Sequence, residues 1–451
     1  MKLRFLTLLI GGGFVLHGSA QAQDSTAPAA EGAATAHLLT LAQALRSART
    51  HQPALDLARG SVATAVGLAE QARSGLLPQI NGTAGLNRAT NNVVPAPGGN
   101  LQLGGQQSVT SSFTSYSFWS TQLSATQLIY DFGESINRWK AARVNADASV
   151  EGVHITEAQI DYNTRVAFFS ARAAKDLVGV TRDTLANQEK HLGQVQGFVE
   201  VGTHPEIDLA QARADRATAQ LQFINAENNY AVARATLNLA MGIERSIDYD
   251  LSDEDFPIVE GEEGTVEDLV GEAKLRRPEM VNQRLTMQSQ ELSLRSANDM
   301  IWPALTASGF VNDRGPDLDH TNWNLSGTLS FTVPIFQGGA IRAQIHQAEG
   351  QLTQAKAQVA TQSLQVRLDV EQARLGIRAA KASILSAEDA LGNSRARLGL
   401  AEGRYQAGAG SIIELGDAQV AVTTAAAQRV QTQYQLYTAR AQLLKALGRT
   451  R

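Results

Sequence analysis

Two stretches of this chain, 206 residues apart, place an apolar residue at every seventh position and then break at a glycine turn. The first runs through Ala171, Val178, Leu185, Leu192 and Val199 and breaks at Val201-Gly202. The second runs through Val370, Ile377, Ile384, Leu391, Leu398 and Tyr405 and breaks at Ala407-Gly408. A sustained seven-residue period asks a helix to lie along a neighbouring helix over its length, and nothing in it asks for a compact globular core. The shared register extends further. Leu128-Ile129-Tyr130-Asp131-Phe132-Gly133 aligns at the same offset with Pro334-Ile335-Phe336-Gln337-Gly338-Gly339, and Met241-Gly242 aligns with Leu447-Gly448. Earlier landmarks, Pro53 with Pro278 and Pro78 with Pro303, are 225 apart, so the length difference lies wholly between Pro78 and Ile129. The chain is an internal duplication of one helix, two strands and a helical hairpin.

The strands follow from strict alternation. From Thr321 to Val333 the odd positions carry Trp323, Leu325, Leu329 and Phe331, and the even ones carry Asn, Ser and Thr. A period of two sustained over this length reads as a strand with one apolar and one wet face, and about 9–11 residues cross a bilayer. The twin shows the same split, with Trp119, Leu123 and Ala125 against Ser120, Gln122 and Ser124. Weaker strands follow the prolines, so four strands are expected at 79–88, 116–130, 303–312 and 321–333, with loops at 88–115 and 313–320. Trp119, Trp302 and Trp323 fall near strand ends, where an aromatic girdle sits. The polar face is uncharged, which suits a water-filled lumen better than a soluble sandwich.

The N-terminus reads as an export signal over residues 1–22: Lys2 and Arg4, an apolar run from Phe5 to Leu16, then Ala20-Gln21-Ala22. The run is too short for the roughly 20 residues that span a bilayer. Residues 23–36 read as a flexible leader. Cleavage removes two of the 39 basic residues and none of the 44 acidic ones, leaving a net charge of −7, which argues against nucleic acid. There is no cysteine, which excludes disulfides, thiolate metal sites, a cysteine nucleophile and the acylated cysteine of a lipoprotein. The eight histidines have no metal-ligand spacing, and no Ser/His/Asp grouping stands out. No catalytic site, cofactor or metal is expected.

Four strands cannot close a barrel, and open edges are not tolerated in hydrocarbon. Barrels begin at about eight strands, so three copies forming a twelve-stranded barrel with a lumen is the favoured arrangement. The hairpins, 134–242 and 339–448, contain long arms near 134–201 and 340–407, each ~100 Å at 1.5 Å per residue. Their returning arms are about half as long, and the helices opened by Pro53 and Pro278 are shorter still. Stacked half-helices give four rods per chain. Repeat 1 is assigned to 37–242, an acidic connector or equatorial belt to 243–264, and repeat 2 to 265–451. At the far tip, Glu414 and Asp417 stand three apart in the first turn of the returning helix, on one face, where acids also complement the helix dipole.

In their order and duplication these motifs resemble the TolC-like outer-membrane efflux and secretion channels, from about Leu38 to Gly448. The resemblance implies an α+β membrane protein. Its homotrimer has a twelve-stranded outer-membrane β-barrel continuous with a long periplasmic α-helical barrel. It implies a passive, gated duct of a tripartite efflux or type I secretion system, set in outer-membrane lipid and opened by a periplasmic adaptor and an inner-membrane pump. It also implies a periplasmic gate at Tyr405, Glu414, Asp417 and Asp208, and adaptor docking at Val201, Gly202, Thr203, Ala407, Gly408 and Ala409. Some family members carry a basic residue where Gly410 stands, so a latch through that position is not carried over. The competing readings are a periplasmic coiled-coil structural or adaptor protein and a free-standing porin.

Overall fold

The computed structural model describes residues 37–90, 115–245 and 249–449. The expected signal and leader lie outside these residues, as does most of the first loop. In chain order the elements are β1 (His37–Leu39), α1 (Leu41–His51), α2 (Pro53–Ser74), β2 (Gln79–Thr90), β3 (Ser115–Tyr130), α3 (Glu134–Glu200) and α4 (Glu206–Met241). There follow β4 (Tyr249–Leu251), α5 (Val266–Arg276), α6 (Pro278–Asp299), β5 (Ala304–Asp317), β6 (His320–Thr332), α7 (Ala340–Gln406) and α8 (Ile412–Ala446). Among the described residues no helix is long and apolar enough to cross a membrane.

Local chemistry sets the helix starts. Thr40 and Gln43 form a reciprocal capping box at the start of α1. Pro53 and Pro278 open α2 and α6 at the first turn, where a missing N–H leaves no bond unmade. Thr265 and Ser411 accept a backbone N–H at the starts of α5 and α8.

Strands β2, β3, β5 and β6 form one antiparallel sheet in that order. Leu123 stands opposite Gly82 and Val311, and Val311 opposite Leu325, so these side chains share a face; Gln122, Asn312 and Asn324 form the row behind. Trp323, Leu325, Leu329 and Phe331 of β6 are exposed, and the outer sides of β2 and β6 pair with nothing among the described residues. The second hairpin corrects the expected strand limits. Pairing continues to Asp317 opposite His320, leaving a turn at Leu318-Asp319 where a loop over 313–320 was expected. Pro316, which cannot donate to the ladder, falls where the register shifts between Arg314 and Asp317. At the base of the sheet Phe132 stacks on Trp302, with centroids 5.4 Å apart, and Tyr130 packs on Phe132 at 4.8 Å.

Helices α3 and α7, 67 residues each, run the full length of the rod, and the shorter helices cover them in two tiers. Near the sheet the lateral order is α2, α3, α6, α7; towards the far tip it is α4, α3, α8, α7. Alanines buried at heptad spacing, Ala212, Ala219 and Ala226 on α4 and Ala373, Ala380 and Ala387 on α7, let the rods approach closely. Where the tiers meet, α4 abuts the α1–α2 elbow: Gln52 Nε2 donates to the carbonyls of Leu239 (2.9 Å) and Ala240 (3.1 Å). The α8 end meets the α5–α6 elbow in the same way, with Gly448 against the backbone of Arg276 and Arg277.

The largest core lies at this level. Phe169 of α3 packs against Phe256 of the connector at 5.4 Å and Tyr437 of α8 at 5.0 Å, with Val366, Val370 and Ile377 of α7 in the same cluster. Several of the polar groups brought inside are paired. Tyr434 donates to Asp176 and Tyr437 to Asp255, both at 2.6 Å, and buried Arg440 meets buried Glu262 at 3.1 Å. Burial opposes the Glu262 charge, but Lys381 and Arg440 outweigh it and hold its carboxyl below the usual range. The connector also supplies β4, whose parallel pairing with β1 ties the start of the described chain to this belt.

Gly242 has φ +73°, and a Cβ there would lie 2.6 Å from the His51 carbonyl oxygen. Gly202 has φ +79° with open space around it. Gly242→Ala is expected to cost about 3 kcal/mol or more and Gly202→Ala only about 1 kcal/mol, as measured by denaturant unfolding followed through helical circular dichroism. Equal losses would show that the close approach at the tier junction contributes nothing.

Candidate functional site: the far tip of the helical hairpins

The end of the molecule opposite the sheet is built from two turns joined by a small core. Val195 of α3, Ala212 of α4, Ala401 and Tyr405 of α7, and Leu415 and Ala418 of α8 are buried together, separate from the belt core. The spacing that fixes this is heptad: Tyr405 is the last rung of its ladder, and the partly buried Leu192, Val199 and Leu398 close on the same cluster.

The first turn caps α3. The Gly202 N–H donates to Val199 O (3.0 Å), the Thr203 N–H to Phe198 O (3.0 Å), and the Thr203 hydroxyl to the same carbonyl (2.9 Å), so the orphan carbonyls of the helix end are satisfied locally. Val201, 80 % exposed, is left pointing into solvent. Asp208 is half-buried in the first turn of α4.

The second turn is clamped differently. The N–H groups of Ala409 (2.9 Å) and Gly410 (3.0 Å) both donate to Arg404 O, and the Gly408 N–H donates to Tyr405 O. The Arg404 guanidinium reaches over the turn to Glu414 Oε1 (2.9 Å) and Ala409 O (3.4 Å), while Ser411 accepts the Glu414 N–H. A Cβ on Gly410 would sit 3.0 Å from the Tyr405 nitrogen, so any side chain there requires the turn to shift by a few tenths of an ångström. The cation at this turn comes from Arg404.

Of the four gate candidates, Tyr405 and Asp208 are brought together. Tyr405 is 3 % exposed and its hydroxyl makes no hydrogen bond of normal geometry. Burial, followed by the neighbouring Asp208 carboxylate, pushes its pKa above the ordinary tyrosine value. Glu414 and Asp417 are divided. Glu414 turns to Arg404 on α7, whereas Asp417 is exposed on a groove of about 400 Å³ between α4 and α8. The groove is floored by α3, where Gln188 donates to Gln419 (2.8 Å) and Thr184 bonds Thr423 (3.1 Å).

Three residues at this tip were not legible as site residues. His191 meets the Tyr405 ring edge-on at 5.5 Å, and His204 stacks on Phe198 (4.9 Å) while touching Tyr405 at 5.2 Å. Arg404 is the third. The available signal was positional: His191 lies one residue before a ladder rung, and Arg404 one residue before Tyr405. Among the described residues no His/Cys/Asp/Glu group is poised to hold a metal ion.

The family described as outer membrane efflux protein matches residues 44–243 and 269–449. The chain is 24 % identical over 225 residues to the probable outer membrane lipoprotein SilC of Salmonella typhimurium, covering 48 % of each chain. It is 27 % identical over 328 residues to the outer membrane protein TolC of Escherichia coli, covering 68 % of this chain and 62 % of that one. The matched spans thus reach about half to three fifths of the lengths of these relatives. In fold it is similar to the Campylobacter jejuni CmeC outer membrane channel, with a TM-score of 0.74 at 19 % identity over 90 % of this chain and 85 % of that one.

Tyr405→Ala is expected to lower the free energy of local opening at the tip by about 3–5 kcal/mol, read as faster amide exchange over 192–199 and 398–415. Tyr405→Phe, which removes only an unbonded hydroxyl, should change it by less than about 1 kcal/mol. A large loss in the phenylalanine variant would show that the hydroxyl holds the tip.

Proposed function

The chain belongs to the outer membrane efflux protein family, and from that premise we propose that it is the outer-membrane duct of a tripartite efflux or type I secretion system. Three copies close a twelve-stranded barrel in the outer membrane and a helical tunnel reaching through the periplasm. The observation that carries this reading is the four-stranded sheet whose edges, β2 and β6, are unpaired among the described residues and which exposes apolar side chains. It stands on two helices of 67 residues, ~100 Å each. In hydrocarbon those edges need partners, and further copies of the same sheet supply them antiparallel. The duct is passive and draws its energy from an inner-membrane pump through a periplasmic adaptor, which docks on the exposed turns at Val201, Gly202 and Thr203 and at Ala407, Gly408 and Ala409.

The far tip is the gate. The buried Tyr405 ring holds the two hairpins together, and threefold repetition brings the acids of α8 to one constriction, where a ring of carboxylates retains cations. Because Arg404 already neutralises Glu414 within the chain, Asp417 contributes the greater part of that ring.

Planar-bilayer recordings of the full chain test this. A small resting conductance is expected, blocked by a trivalent cation from the tip side. Asp417→Ala should raise the concentration for half-block roughly tenfold, and Glu414→Ala should raise it less. A large, always-open conductance indifferent to both substitutions would favour a free-standing porin.

A further inference from the structure

Tyr405 is gripped between two imidazoles, and only one of them is shut away from water. His191 is 7 % exposed on α3, with its ring centroid 5.5 Å from that of Tyr405 and the two planes at 64°. The space beside it, about 110 Å³ between α3, α7 and α8, has room for only a few waters, so a full hydration shell cannot form while the seam is closed. On the other side of Tyr405, half-buried His204 is stacked at 21° on Phe198 and belongs to the first turn.

We propose that this His191–Tyr405–His204 cluster is an acid-released latch: protonation of His191 opens the seam between the α3–α4 and α7–α8 hairpins at the tip and lets Tyr405 leave the core. The consequence for flow rests on the reading of the chain as a gated duct. The opening of the seam itself does not.

The charges around His191 come from three of the four packed helices. Lys190 flanks it on α3; Asp215 and, nearer Tyr405, Asp208 lie on α4; Glu402 and Arg404 lie on α7; and α8 offers only the uncharged Leu415 and Gln419. Burial lowers the His191 pKa, and the pull of Asp215, a hydrogen bond with Gln194 and the pull of Glu402 only partly offset it. The closed seam therefore prefers the neutral ring, and an opened seam exposes the ring to water and an ordinary pKa of about 6.5. The proton binds the open form more tightly. The preference for the closed form is complete above about pH 6.5 and falls as acid takes the pH below that value. Three copies around one constriction add their shifts, so the transition is steeper in the assembly than in one chain.

The full chain in lipid nanodiscs and in planar bilayers supplies the test. Amide exchange over 188–204 and 398–416, corrected for intrinsic rates, should quicken between about pH 7.5 and about pH 5.5, by up to about tenfold, and conductance should rise over the same window. His191→Phe, which keeps an aromatic ring without a titrating nitrogen, should abolish both steps; His191→Gln is the second variant should the phenylalanine disturb assembly. Exchange that is independent of pH in the unsubstituted chain, or a step that survives in either variant, overturns the latch. An exchange step lost in the variants but accompanied by no conductance at any pH supports the latch and overturns the duct.

Discussion

A helix 67 residues long has no interior of its own, and most of this structure is the solution to covering α3. It must meet a neighbour at every turn from the sheet to the tip, and no single helix of the repeat is long enough to do that. Coverage is therefore shared: α2 and α6 near the sheet, α4 and α8 near the tip, with α7 completing the layer. The stripe that makes this possible is narrow. Between the levels of dense packing the buried positions are mostly small, with Ala141 and Ala148 on α3 and Ala212, Ala219 and Ala226 on α4 at heptad spacing, and large side chains gather where the two tiers meet and at the tip. Stability is spread thinly along the rod and concentrated at two levels, and the polar pairs Tyr434–Asp176, Tyr437–Asp255 and Arg440–Glu262 lie at the first of these.

The architecture was legible because it rests on periods. Seven-residue ladders gave both long helices, alternation gave β3 and β6, and the prolines at 53 and 278 gave the starts of α2 and α6, all from residues that act locally. The hairpin around Pro316 was less legible. Gly, Pro and Asp signal a loop in isolation, but two flanking strands held in register override that signal, and the proline is accommodated at a ladder irregularity. The belt was read as a connector from its acids, yet Phe256, Val259 and Glu262 are buried in it, and what buries them comes from α3, α7 and α8, far away in sequence.

The tip was half legible for the same reason. Spacing identified Tyr405 as an inward rung but put Glu414 and Asp417 on one face of α8, where the structure turns them to different neighbours. It could not show that Arg404 would reach across the turn to Glu414, nor that His191 and His204 would converge on one ring from different segments. The two turns, equivalent by duplication, have diverged in chemistry: one is closed by a threonine hydroxyl and an imidazole stack, the other by a guanidinium over a tightly packed glycine.

The tier junctions at Gly242 and Gly448 interrupt every second stave of the rod and leave α3 and α7 continuous. At the joint only α3 and α7 carry the rod through unbroken, so any load passed along its axis between tip and sheet crosses the belt level in those two helices.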